Sequence, residues 1–245
     1  MMFGAGQRTS SAECDLLIGR EQECRLLDEL MRQRKNILVL GAEGVGKTAL
    51  VDHVLTACAM KNVLYSRRST TLKETMVDMI ESARGGKDLQ KKNILSLKKI
   101  CYQLLDESPE YAVLDHVEWV EPKFYGFLTY LVERKLPFVI VTRQPGKKNI
   151  GHLWMGLYDF EKLEIKNLDP AQAGQLIDYY ASSFDLKITA AVDFKKGVFK
   201  ISEGNPKIIS QLCHLARDEK YRAKGYMDVK LMDLDRRISN AVTSA

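Results

Sequence analysis

One short segment of the chain carries glycines, a lysine and a threonine at the spacing that suits a bound phosphate. Residues 41–48 read Gly-Ala-Glu-Gly-Val-Gly-Lys-Thr and match G-x-x-x-x-G-K-[ST] at every fixed position. The glycines let the backbone wrap around a phosphate with its N–H groups turned inward. We expect Lys47 to reach the β- and γ-phosphates and the Thr48 hydroxyl to ligate Mg²⁺. The segment therefore predicts binding of a nucleoside triphosphate.

The residues around this segment supply the strand and the helix that such a loop requires. Residues 36–40, Asn-Ile-Leu-Val-Leu, form a short apolar run of the kind that buried parallel strands show. Residues 49–55 have the apolar spacing of an amphipathic helix. The motif has its phosphate-binding meaning in this strand–loop–helix context, and a glycine-rich turn without a ligand is the weaker alternative.

Two further apolar runs end in polar residues. Residues 111–115, Tyr-Ala-Val-Leu-Asp, end in a carboxylate, and Asp115 is predicted to hold Mg²⁺ and its water. An ordinary helix cap is the alternative for Asp115. Residues 138–141 form the next run and lead into Thr142 and Arg143. Thr142 is predicted to orient the attacking water or sense the γ-phosphate. Arg143 is predicted to reach a phosphate, with a solvated strand-end arginine as the alternative.

These motifs, in their order, resemble the AAA+ and STAND superfamily of P-loop ATPases, nearest to its initiator-type (origin-recognition-like) and archaeal-type members. Residues 17–23, Leu-Ile-Gly-Arg-Glu-Gln-Glu, resemble the box that precedes the phosphate loop and packs near the adenine. Thr142-Arg143 resembles sensor 1, and residues 204–206, Gly-Asn-Pro, resemble a motif of the helical lid. The resemblance implies that ATP and Mg²⁺ are the cofactors. It implies nucleotide contacts from Ile18, Gly19, Arg20, Gly41, Ala42, Glu43, Gly44, Val45, Gly46, Lys47, Thr48, Ala49 and Pro206.

The chain departs from this family pattern in two places. Many AAA+ ATPases have a catalytic acid directly after the Walker B aspartate, but here His116 follows and the nearest acid is Glu118. A base must come within hydrogen-bonding reach of the attacking water. Hydrolysis is therefore expected to be slow, to use Glu118 through a local turn, to use His116 as the base, or to be absent. In the lid, Lys207 stands where a sensor 2 arginine is expected.

Alternation of strand and helix patterns predicts the architecture. We expect an α/β fold with a parallel five-stranded P-loop sheet sandwiched by helices, followed by a small all-helical lid domain. Asp169-Pro170 is a helix-start signal, and no strand pattern follows it. The predicted domains are a flexible arm (1–14), the ATPase core (15–167) and the lid with a C-terminal helix (168–245). Helices are predicted at 21–34, 72–84, 93–105, 119–134, 171–183, 190–202, 206–217 and 229–241, and outer strands at 63–65 and 163–165.

Composition excludes several other classes of protein. The 245 residues are 45% hydrophobic and 28% charged, which is typical of a globular protein rather than a disordered one. No apolar run is long enough to span a membrane, and the N-terminal residues lack the apolar stretch of a secretory signal. The five cysteines are scattered without a C-x-x-C pair, so neither a zinc site nor a disulfide framework is predicted. A cytoplasmic location is the simplest expectation.

A basic segment between the second and third predicted strands is the candidate for contact with DNA. Residues 84–99 contain six basic side chains and one acid, Asp88, and the chain as a whole has a net charge of +5. Such lysines can neutralise phosphates without reading sequence, although a solvated helix face is the plainer alternative. The tentative nucleic-acid residues are Lys87, Lys91, Lys92, Lys98 and Lys99. A second basic group follows sensor 1 and equally fits a contact between subunits.

The leading hypothesis is an ATP-Mg²⁺-binding ATPase that couples nucleotide state to oligomer assembly and to binding of DNA or a protein partner. Its predicted catalytic residues are Lys47, Asp115, Glu118, Thr142 and Arg143. Arg143 and Arg134 are the candidates for a finger that acts on a neighbouring subunit's ATP. The short format also resembles the ATPase regulators of DNA transposition. The alternatives are a STAND-like nucleotide switch with little hydrolysis and, third, a P-loop phosphotransferase.

Overall fold

A computed structural model describes residues 17–86, 88–188, 190–223 and 226–243. The predicted N-terminal arm, residues 1–14, lies outside them. The chain divides into two compact units. The first comprises the described residues up to Ala42 together with Lys47–Ile165, and the second comprises Glu43–Gly46 with the described residues from Lys166 onward. No helix among the described residues is long and apolar enough to cross a membrane.

The first unit is built on a five-stranded sheet. Its strands lie in the order β2-β3-β4-β1-β5, and every neighbouring pair is parallel. The prediction of a parallel five-stranded sheet is confirmed. The strands are β1 (Ile37–Leu40), β2 (Val63–Ser66), β3 (Tyr111–Leu114), β4 (Phe138–Thr142) and β5 (Glu161–Glu164).

Burial explains why the central strands read as continuous apolar runs. All residues of β3 and β4 are buried, as expected for a parallel sheet covered on both faces. By contrast, β5 lies at one edge, and in its sequence Glu-Lys-Leu-Glu only Leu163 is buried. The sequence signal for β5 is correspondingly weak.

Helices cover both faces of the sheet. On one face, alternate strand residues such as Leu38, Leu114 and Ile140 share a buried cluster with side chains of α3, α4 and α5, defined below. On the other face, the Tyr111 hydroxyl donates to the carbonyl of Met31 at the end of α1. The predicted sandwich is confirmed. The helices are α1 (Glu21–Arg32), α2 (Lys47–Ala57), α3 (Leu72–Arg84), α4 (Ile94–Asp106), α5 (Pro122–Glu133) and α6 (Lys147–Ile150).

The second unit is mainly helical, as predicted. Its helices are α7 (Pro170–Ser183), α8 (Ala191–Ser202), α9 (Pro206–Leu215) and α10 (Val229–Thr243). The expectation that no strand follows Asp169 is wrong, because β6 (Arg222–Ala223) pairs antiparallel with β7 (Tyr226–Met227). Each of these strands has two residues, which is too short to produce a period-2 pattern in the sequence.

Candidate nucleotide-binding site

The phosphate loop connects the end of β1 to the first residue of α2. Its glycines occupy backbone conformations that residues with side chains rarely adopt, with φ angles of 79° at Gly44 and 96° at Gly46. A Cβ at Gly44 would also lie 2.7 Å from both Asn205 Oδ1 and Lys207 Cβ. Gly46, a fixed position of the motif, and Gly44, which the motif leaves open, therefore both adopt a backbone conformation that favours glycine over any other residue.

Lys47 lies where the loop meets α2. Its ammonium donates to the carbonyls of Gly41 and Ala42, at 2.8 Å each. A phosphate would offer this ammonium a charged acceptor, and charge-assisted hydrogen bonds are about twice as strong as neutral ones. The structure thus places the Lys47 ammonium beside the first residues of the loop.

The tip of the loop belongs to the second unit and is held there by the Gly-Asn-Pro segment. Asn205 Nδ2 donates to the Glu43 carbonyl at 2.8 Å, and the Lys207 N–H donates to the Gly44 carbonyl at 3.1 Å. Lys207 Nζ also lies 2.8 Å from Glu43 Oε1. Pro206 is the first residue of α9. Sequence motifs that are about 160 residues apart are thus brought together inside this unit.

Asp115 follows β3 directly and is buried, with 1% of its surface exposed. Its Oδ2 accepts a hydrogen bond from Thr48 Oγ1 at 2.7 Å. Its Oδ1 accepts from the His116 N–H at 2.7 Å and lies 3.3 Å from His116 Nδ1. The predicted magnesium residues Thr48 and Asp115 are therefore in direct contact, with both carboxylate oxygens engaged.

The pair formed by Thr48 and Asp115 fits a magnesium site. Mg²⁺ takes oxygen ligands in octahedral geometry at about 2.0–2.1 Å, which puts adjacent ligand oxygens about 2.9 Å apart. The two side-chain oxygens lie 2.7 Å apart, so both suit one cation, directly or through its water. These residues would hold the ion that accompanies a nucleotide.

Thr142 ends β4 and is buried. Its hydroxyl donates to the Val117 carbonyl at 2.8 Å, and the Val117 N–H donates to the Val141 carbonyl at 3.0 Å. The end of β4 is thereby tied to the segment after β3. Glu118 and Arg143 are both exposed.

His116 adopts a left-handed backbone conformation, with φ of 50°. This turn brings its N–H onto Asp115, while 67% of the His116 side chain is exposed. The His116 N–H therefore helps to satisfy the buried Asp115 carboxylate.

Tyr65 and Asp52 belong to the same neighbourhood, and sequence analysis did not select them. Tyr65 lies on β2, and Asp52 lies on α2 one turn after Thr48. The pKa of Tyr65 is raised by burial and further by the negative charges of Asp115 and Asp52. Sequence offered no direct signal for Tyr65, because its position on the same sheet face as Asp115 depends on the register between β2 and β3.

The box before the loop forms the start of α1. Gly19 has a φ of 74°, and Arg20 is buried and pairs with Glu23 at 2.9 Å. Ile18 is half-buried. Arg20 thus has a structural partner within its own helix.

The basic segment extends from the end of α3 to α4. Arg84 pairs with Glu107, and Lys91 lies 2.7 Å from Asp88. Lys92 is exposed, and Lys87 lies outside the described residues. Two of the predicted lysines border an open groove of about 400 Å³, lined by Leu95, Lys98, Lys99, Tyr102, Gln103, Asp106 and Arg134.

Arg134, the second finger candidate, packs against Tyr130. Its guanidinium lies 5.2 Å from the centroid of that ring and donates to the ring's hydroxyl at 2.8 Å. It lies at the C-terminal cap of α5, near the start of β4. Arg134 therefore lies at the opposite end of β4 from Thr142.

Comparisons with known proteins identify the fold. No protein-family model matches the chain, and no curated protein matches it either. Among solved structures, the Aeropyrum pernix ORC1 protein in complex with DNA superimposes with a TM-score of 0.71 at 14% identity, covering 97% of this chain and 71% of that one. The Walker-type ATPase of Pyrococcus abyssi superimposes with a TM-score of 0.60 at 12% identity, covering 93% and 75%.

AMPPCP-bound DnaA from Aquifex aeolicus superimposes with a TM-score of 0.55 at 16% identity. That match covers 82% of this chain and 62% of DnaA, so the chain spans less than two thirds of the DnaA structure. The chain has the fold of the initiator-type AAA+ P-loop ATPases.

Proposed function

We propose that this protein binds ATP with Mg²⁺, hydrolyses it slowly, and couples its nucleotide state to self-assembly and to binding of DNA or a protein partner. The observation that carries the proposal is the 2.7 Å contact between Thr48 and Asp115. That contact joins the end of the phosphate loop to the end of β3, and it sits beside a lysine that donates to the loop's own carbonyls. A glycine-rich turn without a ligand would need neither feature.

Each residue has a defined task in this site. The loop N–H groups and Lys47 bind the phosphates, and Lys47 exchanges the Gly41 and Ala42 carbonyls for phosphate oxygens. Thr48 and Asp115 hold Mg²⁺, which neutralises the charge that develops on the phosphates when it is bound. Thr142 keeps the segment after Asp115 in place through the Val117 carbonyl. The site is thus preorganised before nucleotide arrives.

Hydrolysis requires a base beside the attacking water. The water oxygen bonds to the γ-phosphorus, the bond to the bridging oxygen breaks, ADP leaves, and a base takes the water's proton. No acid follows Asp115 directly, and Glu118 is exposed three residues away. Because a displaced base contributes less to the rate, we expect turnover to be slow.

A nucleotide switch with little hydrolysis is the second candidate function. The observation that favours it concerns His116, which replaces the usual acid at this position. The His116 N–H donates to the Asp115 carboxylate while the His116 ring faces solvent. Such a protein would bind ATP tightly and would change its affinity for a partner without hydrolysing the ATP. Turnover that depends on Asp115 would argue against this candidate.

The DNA partner is supported by charge and by the fold. Lys98, Lys99 and Arg134 border one groove of the first unit, and a neighbour of this fold, ORC1, was solved in complex with DNA. Contacts of lysine with phosphate are sequence-independent and weaken as salt rises. We therefore assign α4 and the segment before it to contact with the DNA backbone.

The test is ATP turnover by the purified protein with and without duplex or single-stranded DNA, with light scattering on the same samples to report assembly. We expect Lys47→Ala and Asp115→Ala to abolish turnover, and Lys61→Ala, a change at an exposed lysine outside the site, to leave it unchanged. Tight ATP binding without turnover under every condition would exclude hydrolysis and favour the nucleotide switch instead. No ATP binding at all would overturn the proposal.

DNA affinity is measured in the same series. Lys98→Ala/Lys99→Ala should weaken DNA binding. It should also make the slope of log K against log salt concentration less steep, by about 0.9 for each phosphate contact with duplex DNA that is lost. Lys196→Ala/Lys200→Ala, on α8, is the matched control with the same change in charge. Equal effects of the two double variants would refute a DNA site on α4.

A further inference from the structure

The Tyr65 hydroxyl is a buried polar group without a partner. Its oxygen is shielded from solvent and makes no hydrogen bond with any described residue. Buried hydroxyl groups are nearly always hydrogen-bonded, and an unpaired one needs a specific explanation. Arg67 stacks on the Tyr65 ring at 4.8 Å, so the ring is fixed while its hydroxyl is left unsatisfied.

The sheet register places this hydroxyl beside the candidate magnesium site. Tyr65 pairs with Val113, and Asp115 follows Val113 by two residues, so the two side chains lie on one face of the sheet. Thr48, on α2, contacts Asp115 on that side of the sheet. The charges of Asp115 and Asp52 both act on the tyrosine, and the Asp52 carboxylate lies close enough to interact with its hydroxyl.

Asp52 approaches the same point from α2. It follows Thr48 by four residues, so the two side chains lie on the same side of the helix. Its carboxylate lies 3.4 Å from the Arg67 guanidinium, which keeps it beside Tyr65. The Tyr65 hydroxyl and the Asp52 carboxylate therefore lie beside the Thr48–Asp115 pair that suits Mg²⁺.

The chemistry of this convergence points to metal-bound water. Mg²⁺ usually keeps several of its waters. A water on the metal uses a lone pair to bind the ion, so its two hydrogens need acceptors nearby. Carboxylates and the oxygen of a phenol are such acceptors, and the phenol also needs an acceptor for its own proton.

We infer that Tyr65 and Asp52 are positioning residues that hold the hydration shell of the Mg²⁺ bound with nucleotide, outside the ligands Thr48 and Asp115. This inference rests on the proposed nucleotide function and adds two residues to its site. The Tyr65 hydroxyl makes no hydrogen bond with a described residue, and the hydration shell of the bound ion would supply its partner.

The experiment compares binding of a fluorescent ADP analogue in Mg²⁺ and in EDTA. We expect Tyr65→Phe to weaken binding about tenfold in Mg²⁺, as outer-shell changes at metal sites do, and to leave binding in EDTA unchanged. Asp52→Asn should act in the same direction. Tyr125→Phe, on α5 in the helix layer of the opposite sheet face, is the control and should change neither.

Thermal unfolding gives a second readout that does not depend on activity. Tyr65→Phe removes an unpaired buried hydroxyl, so without nucleotide its Tm should equal or exceed that of the wild type. With Mg²⁺-ADP the order should reverse. Equal loss of affinity in Mg²⁺ and in EDTA, or no loss in either, would overturn the inference. A wild type that binds no nucleotide would overturn the proposed function together with it.

Discussion

The buried charge of Asp115 explains much of the local arrangement around it. A carboxylate that is 1% exposed is stable only when donors satisfy it. Thr48 supplies one donor and the His116 N–H supplies the other, one to each oxygen. Thr48 therefore has one use that the structure shows, as a hydroxyl donor to Asp115, and we propose a second, as a ligand of the Mg²⁺ bound with nucleotide.

Substitution of Thr48 tests the first of these uses. Thr48→Val keeps the branched shape but removes the donor, leaving Asp115 Oδ2 unpaired. We expect the nucleotide-free protein to lose about 1–3 kcal/mol of unfolding free energy, measured by urea denaturation. Thr48→Ser retains the hydroxyl and should remain closer to the wild type. If the Thr48→Val protein were as stable as the Thr48→Ser protein, the Thr48 hydroxyl would not be needed to stabilise the buried Asp115 carboxylate.

Helix α7, the first helix of the second unit, begins with a complete capping box. Asp169 accepts hydrogen bonds from the N–H groups of Ala171 and Gln172, and the Gln172 side chain accepts from the Asp169 N–H at 3.0 Å. Pro170 occupies the first helical position, where its missing N–H is not needed. The start of α7 is therefore specified by local sequence alone.

Removal of this cap should have a measurable cost. Asp169→Ala is expected to destabilise the second unit by about 1 kcal/mol, because two backbone N–H groups lose their acceptor. Asp178→Ala removes an aspartate from the same helix that only pairs with Lys195 on the surface, and it should cost less than about 0.5 kcal/mol. Urea unfolding followed by circular dichroism measures both. Equal costs would mean that the capping bonds do not stabilise the helix.

Local signals of this kind explain which elements the sequence predicts. The strands β1, β3 and β4 are apolar because they are buried on both faces, and the phosphate loop and Asp115 could be placed from their positions at strand ends. The turn of helix at Lys147–Ile150 and the 3-10 segment Gly151–Gly156 produce no period long enough to recognise. Their position depends on tertiary contacts, such as the His152 N–H donating to the Val120 carbonyl.

Tyr65 and Asp52, which we propose as neighbours of the magnesium site, have a similar explanation. They lie 13 residues apart in sequence and come near Asp115 only in the folded chain. The contact of Lys207 with Glu43, residues 164 apart in sequence, is likewise a product of the fold. Motif spacing identified the loop, but it does not encode which distant side chains surround it.

Cysteine burial gives the protein a pH-dependent stability that involves both units. Burial raises the pKa of Cys101 in the first unit to about 12 and that of Cys213 in the second unit to about 12. The pKa of Cys58 is raised to about 11 by burial and by Asp28, whose Oδ1 its thiol contacts at 2.7 Å. All three thiols therefore keep their protons in the folded chain at pH values where an unfolded thiol loses them.

The sign of the effect follows from proton linkage. The unfolded thiols titrate near pH 9 and the folded ones only near pH 11–12, so unfolding between these values releases protons. The stability that neutral thiols contribute is complete below about pH 8.5 and is lost as pH rises toward the folded pKa values. We expect the free energy of unfolding to fall from about pH 8.5 to about pH 9.5, below the range in which tyrosines titrate strongly.

Urea unfolding at several pH values in this window measures the decline. Cys101→Ala/Cys213→Ala removes two of the four described thiols whose pKa is raised, so its stability should fall less steeply with pH, whatever its stability at neutral pH. Labelling with a maleimide supports the same assignment, because Cys101 and Cys213 should react only as fast as the chain unfolds, while the partly exposed Cys24 reacts in the folded protein. Parallel declines in the wild type and the double variant would show that other groups set the alkaline limit of this fold.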